Sequence, residues 1–253
     1  MKRRALIIEA SKAAGQKVIN GAAEDARRLG LWLADSSGGG WNPDEIERLS
    51  NPTLAQLNAA LARATADYTW VSFSGHGYIE EDTRTGRRTQ KVIIGSGEEL
   101  PFSSLWPKSD KCSLVCDACR VVEQVAYFSE QVANAMIYKR AADKYSRGTY
   151  RAWFDAAVLG ANPGAFFLYG CSAGQYSYED PLVGGYFTAA LIENAASWSD
   201  NAKSNGCLAM EDVLSSAADA VGTRTSNKKP PQNPCGGPEN RSGNSFPFAV
   251  ALV

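Results

Sequence analysis

Short runs of consecutive apolar residues alternate along this chain with longer stretches whose apolar positions recur every three or four residues. Ala5–Glu9, Tyr68–Phe73, Cys112–Cys116, Ala165–Tyr169 and Phe246–Leu252 have the length and continuity of buried strands. Between them, Ala22, Ala26, Leu29 and Leu33 carry a helical spacing over Ala22–Ala34, which ends towards the flexible Ser36-Ser37-Gly38-Gly39-Gly40. Asn51-Pro52-Thr53 opens a second helix with Leu54, Leu57 and Leu61 on one face, and Pro52 suits its first turn. Val121 to about Gly160, Gly184–Ala196 and Met210–Val221 read as further helical segments, the first of them long. The polar Glu80–Gln90 predicts a surface loop, and the Pro-, Asn-, Gly- and Lys-rich Thr223–Ser242 predicts irregular chain. Strands alternating with helices specify an α/β sandwich around a mainly parallel sheet, in which sites gather at the carboxyl ends of strands.

Composition narrows the class. A chain of 253 residues with 44% apolar content is expected to form a single domain, 1–253, with a core that needs no disulfide staples. The formal charge of −1 gives no electrostatic case for nucleic-acid binding. No apolar run approaches the ~18 residues of a membrane span. The apolar stretch after Met1-Lys2-Arg3-Arg4 is broken by Glu9, too early for a signal peptide. Six cysteines without a CxxC pair, and no export signal, lead us to expect reduced thiols in a cytoplasmic protein.

Two strand ends carry the chemistry: Ser74-Gly75-His76-Gly77 and Asp117-Ala118-Cys119-Arg120. His76 is the single histidine, which excludes Cys2His2 zinc sites and His-rich metal centres and makes it the one candidate imidazole base. The flanking glycines permit close approach of a substrate backbone. Cys119 is expected at a helix start, where amide dipoles favour a thiolate and N–H groups can stabilise an oxyanion. Cys112, Cys116, Cys171, Cys207 and Cys235 fit small buried hydrophobes instead, with Cys112, Leu114 and Cys116 on one strand face.

Here the chain resembles the clan CD peptidases: caspases, metacaspases and their prokaryotic relatives. Phe73-Ser74-Gly75-His76-Gly77 is similar to their (Y/F)-S-G-H-G segment, and Cys116-Asp117-Ala118-Cys119-Arg120 to the metacaspase D-x-C segment. Arg4–Ile8, Gly21–Ala26, Ala64–Tyr68, Gln175–Glu179 with Gly185–Thr188, and Pro247-Phe248 extend the likeness over nearly the whole chain, with no prodomain expected. The resemblance implies a caspase-like three-layer α/β/α sandwich and a cysteine endopeptidase in which Cys119 attacks a peptide carbonyl. His76 then moves the proton, and the N–H groups of Gly77 and Cys119 hold the oxyanion. No third triad residue is obvious. It also implies an S1 pocket built on Asp25, Ser74 and Asp117, and therefore protein or peptide substrates with a basic P1 residue, arginine before lysine. An inactive scaffold that binds protein partners is the alternative, disfavoured by the presence of both Cys119 and His76. A role in bacterial defence or cell death follows by analogy alone.

The same resemblance points to two regulatory features, calcium binding and proteolytic processing. Calcium would have Glu80, Glu81, Asp82, Glu98 and Glu99 to bind, but the family's Asp-rich spacing is missing, so neither a metal nor another cofactor is expected. Cutting by the enzyme itself or by an upstream activating protease has Lys139, Arg140, Lys144, Arg147 and Arg151 as candidate processing sites.

Overall fold

The computed structural model describes residues 1–107, 109–122, 144–239 and 245–253. The first half of the chain runs through β1 (Arg3–Ala10), α1 (Asn20–Ala34), β2 (Ile46–Ser50), α2 (Leu54–Arg63) and β3 (Tyr68–Gly75). It continues with β4 (Gly77–Glu81), β5 (Arg88–Ile93), β6 (Glu99–Pro101) and β7 (Lys111–Asp117). The second half adds α3 (Arg147–Gly160), β8 (Gly164–Tyr169), β9 (Glu179–Asp180), β10 (Gly184–Gly185) and α4 (Tyr186–Asp200). It closes with β11 (Gly206–Ala209), α5 (Met210–Arg224), β12 (Cys235–Glu239) and β13 (Pro247–Ala251).

Six strands form the central sheet in the order β12-β8-β7-β3-β1-β2. All neighbours are parallel except the edge strand β12, which runs antiparallel to β8. Successive side chains of a strand face opposite sides of the sheet, and the two sides have separate cores. Ala5, Ile7, Trp70, Val115 and Phe166 pack under α1, α3, α4, α5 and β13. Leu6, Ile8, Val71, Phe73 and Leu114 pack under α2, β5 and the turn at Phe102–Leu105. The expected three-layer α/β/α sandwich is therefore what the chain forms. No helix among the described residues is long and apolar enough to cross a membrane.

At the end of the sheet remote from the site, Arg3 is buried with its guanidinium against the carbonyls of Gly39 (3.0 Å) and Gly40 (3.3 Å) and the carboxylates of Asp155 (3.2 Å) and Glu45 (3.5 Å). The rings of Trp41 and Phe154 lie over it, 4.5 and 5.3 Å from its centre. This one cation thus ties β1 to the glycine turn and to α3.

Several local expectations are corrected. Of residues 80–90 only 82–87 form the expected surface loop: Glu80 and Glu81 end β4 and Arg88–Gln90 begin β5, with Ile79 opposite Gln90 across the hairpin. Pro52 precedes the helix rather than opening it. Thr53 caps α2, its hydroxyl accepting from the Gln56 N–H at 3.3 Å while the Gln56 side chain accepts from the Thr53 N–H at 2.9 Å. The stretch expected to be irregular contains β12. The closing strand forms as expected but pairs with β11 outside the central sheet. Of the long helical span, Arg147–Gly160 is helical, and residues 123–143 lie outside the described residues.

Candidate active site

The parallel register delivers the site. β3 and β7 end side by side, with Phe73 opposite Cys116 and Ser74 opposite Asp117, so the His76 and Cys119 segments leave adjacent strands at their carboxyl ends. A Cβ on Gly77 would lie 2.9 Å from the Cβ of Ala118 and 2.8 Å from the Lys91 carbonyl oxygen. Only a glycine lets these two segments approach so closely.

His76 is 5% exposed, and its Nε2 lies 2.6 Å from the carbonyl oxygen of Lys17. A carbonyl oxygen can only accept, so Nε2 carries the proton and Nδ1 keeps its lone pair. Burial holds the imidazole below its ordinary pKa, with the Lys17 carbonyl pulling the other way, so the ring is neutral at neutral pH. This fixed tautomer is what a general base needs. The orienting group belongs to the backbone, which is why no third residue stood out in the sequence.

Cys119 lies two residues past the end of β7 and is 1% exposed. It is not at a helix start. Residues 118–122 are non-helical, so the expected dipole effect is replaced by individual contacts. The Ser177 N–H donates to Sγ at 3.1 Å, and the thiol faces the Ser177 carbonyl oxygen at 3.8 Å. Cys112 and Cys116 pack in the core as expected, and burial raises both their pKa values.

Beside the two segments is a pocket of about 230 Å³, including the space open to solvent, lined by Asp25, Ser74, Asp117, Ser177, Tyr178 and Glu179 among others. All three residues expected in an S1 pocket are thus brought together, although Asp25 comes from α1 and the other two from β3 and β7. Asp25 is 1% exposed; it accepts from Ser74 Oγ at 2.5 Å and from the Gly185 N–H at 2.8 Å. Asp117 is 6% exposed; it accepts from Ser177 Oγ and, at 3.0 and 2.8 Å, from the N–H and hydroxyl of Thr188. Burial raises the pKa of both carboxyls, and the charge of Asp117 raises that of Asp25 further. A Cβ on Gly184 or Gly185 would collide with one or other carboxylate, and Gly184 has a φ of +93°. Glycine is required here for the backbone to donate directly to Asp25.

Glu179 is a third pocket carboxyl. It accepts from the Gly21 N–H at 2.7 Å, and burial, helped by Asp117, pushes its pKa up to about 7. The sequence marked Gln175–Glu179 as a family-like segment without giving Ser177 or Glu179 a task. Their signal was the two-residue spacing, which puts both side chains on one face of an extended segment.

The remaining candidates lie elsewhere. Glu80 pairs with Lys91 (3.1 Å), Glu81 with Arg88 (2.8 Å) and Glu99 with Tyr78, while Asp82 accepts from the Arg84 and Thr85 N–H groups of the hairpin turn. Among the described residues, no three His, Cys, Asp or Glu side chains converge on a possible metal position. Lys144 is exposed. Arg147 donates to the Trp41 carbonyl, and Arg151 forms a two-pronged pair with Glu45 at 2.6 Å for each bond. Lys139 and Arg140 lie outside the described residues.

A family model described as the caspase domain, Peptidase_C14, matches residues 2–237. Among solved structures, the chain is similar to caspase-1 from Spodoptera frugiperda, with a TM-score of 0.59 and 14% sequence identity over 99% of this chain and 88% of that one. No curated protein gives a significant match.

Proposed function

The chain belongs to the caspase-domain family of cysteine peptidases, and from that premise we propose an endopeptidase that cleaves protein chains after arginine, and less readily after lysine. Cys119 is the nucleophile. His76 Nδ1 accepts the thiol proton while Nε2 stays bonded to the Lys17 carbonyl. The thiolate attacks the scissile carbonyl carbon, and the N–H groups of Gly77 and Cys119 receive the developing oxyanion. Collapse of the tetrahedral intermediate passes the proton to the leaving amine and leaves an acyl-enzyme, which water hydrolyses with His76 again acting as base.

One observation carries the specificity. Among the described residues, Asp25 and Asp117 accept hydrogen bonds from neutral donors alone and form no ion pair. Two buried carboxyls without a cation are costly, and a substrate guanidinium is the cation whose planar fork suits them. A substrate aspartate would add another negative charge to the same poorly hydrated site.

Digestion of a peptide library by the wild type and by Cys119→Ala, read by mass spectrometry, tests the activity. Cuts after Arg and Lys are expected from the wild type and none from the variant. On a fluorogenic panel differing only at P1, Asp117→Ala should lower the Arg rate roughly 30-fold or more, since removing one partner of a buried charge pair costs about 2–5 kcal/mol. A preference for Asp at P1, or turnover by Cys119→Ala, refutes the proposal. The engagement of Arg147 and Arg151 favours an activating cut N-terminal to α3, and intact-mass measurement of the active enzyme would locate it.

A further inference from the structure

The geometry assigns Gln90 and Cys171 as positioning residues for the nucleophile: each grips one of the two peptide groups that flank Cys119, and together they aim the Cys119 N–H. The assignment rests on Cys119 being the nucleophile and its N–H part of the oxyanion site, as proposed above.

Gln90, on the inner face of the β4–β5 hairpin, is 8% exposed. Its Oε1 accepts from Arg120 Nε at 3.0 Å. A guanidinium nitrogen can only donate, so the amide orientation is settled and the NH2 group faces the other way. There it donates to the carbonyl oxygen of Cys119 at 3.1 Å and to that of Lys91 at 2.9 Å. The N–H of the same Cys119–Arg120 peptide donates to the Gln175 carbonyl at 2.9 Å, so this peptide is held at both ends. Arg120 is itself fixed, with Nη1 3.2 Å from the Cys171 carbonyl oxygen and its guanidinium 4.2 Å over the Tyr169 ring.

Cys171, just beyond β8, holds the preceding peptide. Its Sγ is fully buried, 3.5 Å from the Ala118 carbonyl oxygen and 3.4 Å from that of Gln175. Burial raises its pKa well above the ordinary thiol value, so the S–H remains a donor, its single hydrogen shared between these two oxygens. A peptide unit is planar and trans, so its C=O and N–H point in opposite directions. Drawing the Ala118 oxygen towards Cys171 therefore turns the Cys119 N–H away from it. A Cβ on Gly77 would lie 2.9 Å from Gln90 Nε2, which places the second proposed oxyanion donor against the same clamp.

The test separates oxyanion positioning from general damage. Gln90→Glu keeps the shape and the Arg120 contact but turns a donor into an acceptor facing the Cys119 carbonyl. Cys171→Ala removes a donor, and Cys171→Ser restores one. An arginyl peptide aldehyde forms a tetrahedral adduct whose oxygen uses the oxyanion site, whereas the same peptide ending in agmatine, which keeps the guanidinium and lacks the carbonyl, does not. Gln90→Glu and Cys171→Ala should lower kcat about 10- to 100-fold with KM within about twofold, since losing a whole oxyanion donor costs about 100- to 1,000-fold. Aldehyde Ki should rise by a similar factor while the Ki of the agmatine peptide stays as in the wild type, the pH profile of Cys171→Ala should be unchanged, and Cys171→Ser should recover most of the loss. Unchanged aldehyde affinity, or an equal loss for the aldehyde and the agmatine peptide, overturns the assignment. If Cys171→Ala does not fold by circular dichroism, Gln90→Glu decides alone. Turnover by Cys119→Ala would instead remove the underlying mechanism.

Discussion

Glu179 gives the pocket a pH dependence that can be worked out in advance. Its carboxyl titrates at about 7 because it is buried, with Asp117 adding to the effect and the Gly21 N–H opposing it. A guanidinium gains from the ionised form, so on the acid side a proton must leave before the cation is fully bound. At pH 6 such a group is about one-tenth ionised, so kcat/KM for an arginyl substrate should be about tenfold below its plateau above pH 8, equivalent to about 1.4 kcal/mol. His76 does not produce this step, because burial moves its titration in the acid direction from the ordinary histidine value. The assay is kcat/KM on a fluorogenic arginyl peptide from pH 5.5 to 8.5, for the wild type and Glu179→Gln. The amide cannot titrate, so the step around neutrality should vanish in the variant. A wild-type profile flat through this range, or a step that survives in Glu179→Gln, refutes the place given to Glu179 in cation binding.

Asp25 has a raised pKa in the folded protein, so folding binds a proton more tightly there; the associated stability is fully present below the unfolded value of 3.8 and is lost as pH rises through the raised one. Asp25→Asn, which can still accept from the Gly185 N–H, should therefore raise Tm by about 2 °C or more at pH 8, and by less at pH 5, in a thermal melt, while lowering arginyl cleavage. Arg3→Ala removes a buried cation from two carboxylates and two carbonyls and should cost about 3–5 kcal/mol in urea unfolding. Arg3→Lys should recover little of it, since one ammonium cannot reproduce the fork. EDTA should leave peptidase activity within about twofold, because Glu80, Glu81 and Glu99 already serve three different partners; activity that disappears with chelator and returns with calcium refutes this.

The sequence displayed those parts of the fold that are buried on both faces. The strands at Tyr68–Gly75 and Lys111–Asp117 sit in the middle of the sheet, so their residues are apolar almost without interruption and their ends could be found. The strands it hid are exposed or short. Ile46–Ser50 is a half-exposed edge with charges at Glu47 and Arg48, and Cys235–Glu239 is an edge of glycine and proline. The β4–β5 hairpin is charged at Glu80, Glu81, Arg87 and Arg88, which concealed the inward-facing Gln90. Within the candidate site, Asp25, Ser74 and Asp117 were legible through motif likeness, whereas Glu179, Ser177 and Gln90 become neighbours of Cys119 or its pocket only through tertiary packing. The expectation of a helix start at Cys119 failed because the chain leaving β7 at Asp117 runs through the non-helical residues 118–122.

Position 17 joins two tasks that a substitution experiment would not tell apart. The oxygen that orients His76 is present whichever amino acid stands there, so replacing the lysine leaves the tautomer of the base untouched. The lysine side chain contributes a separate effect, its positive charge lowering the pKa of Glu179. A side-chain scan would therefore score Lys17 purely as a tuner of pocket charge and record nothing for its part in orienting the imidazole. Ester replacement of the peptide bond after residue 17, which weakens the carbonyl as an acceptor while keeping every side chain, is the chemical mutation that addresses the atom itself.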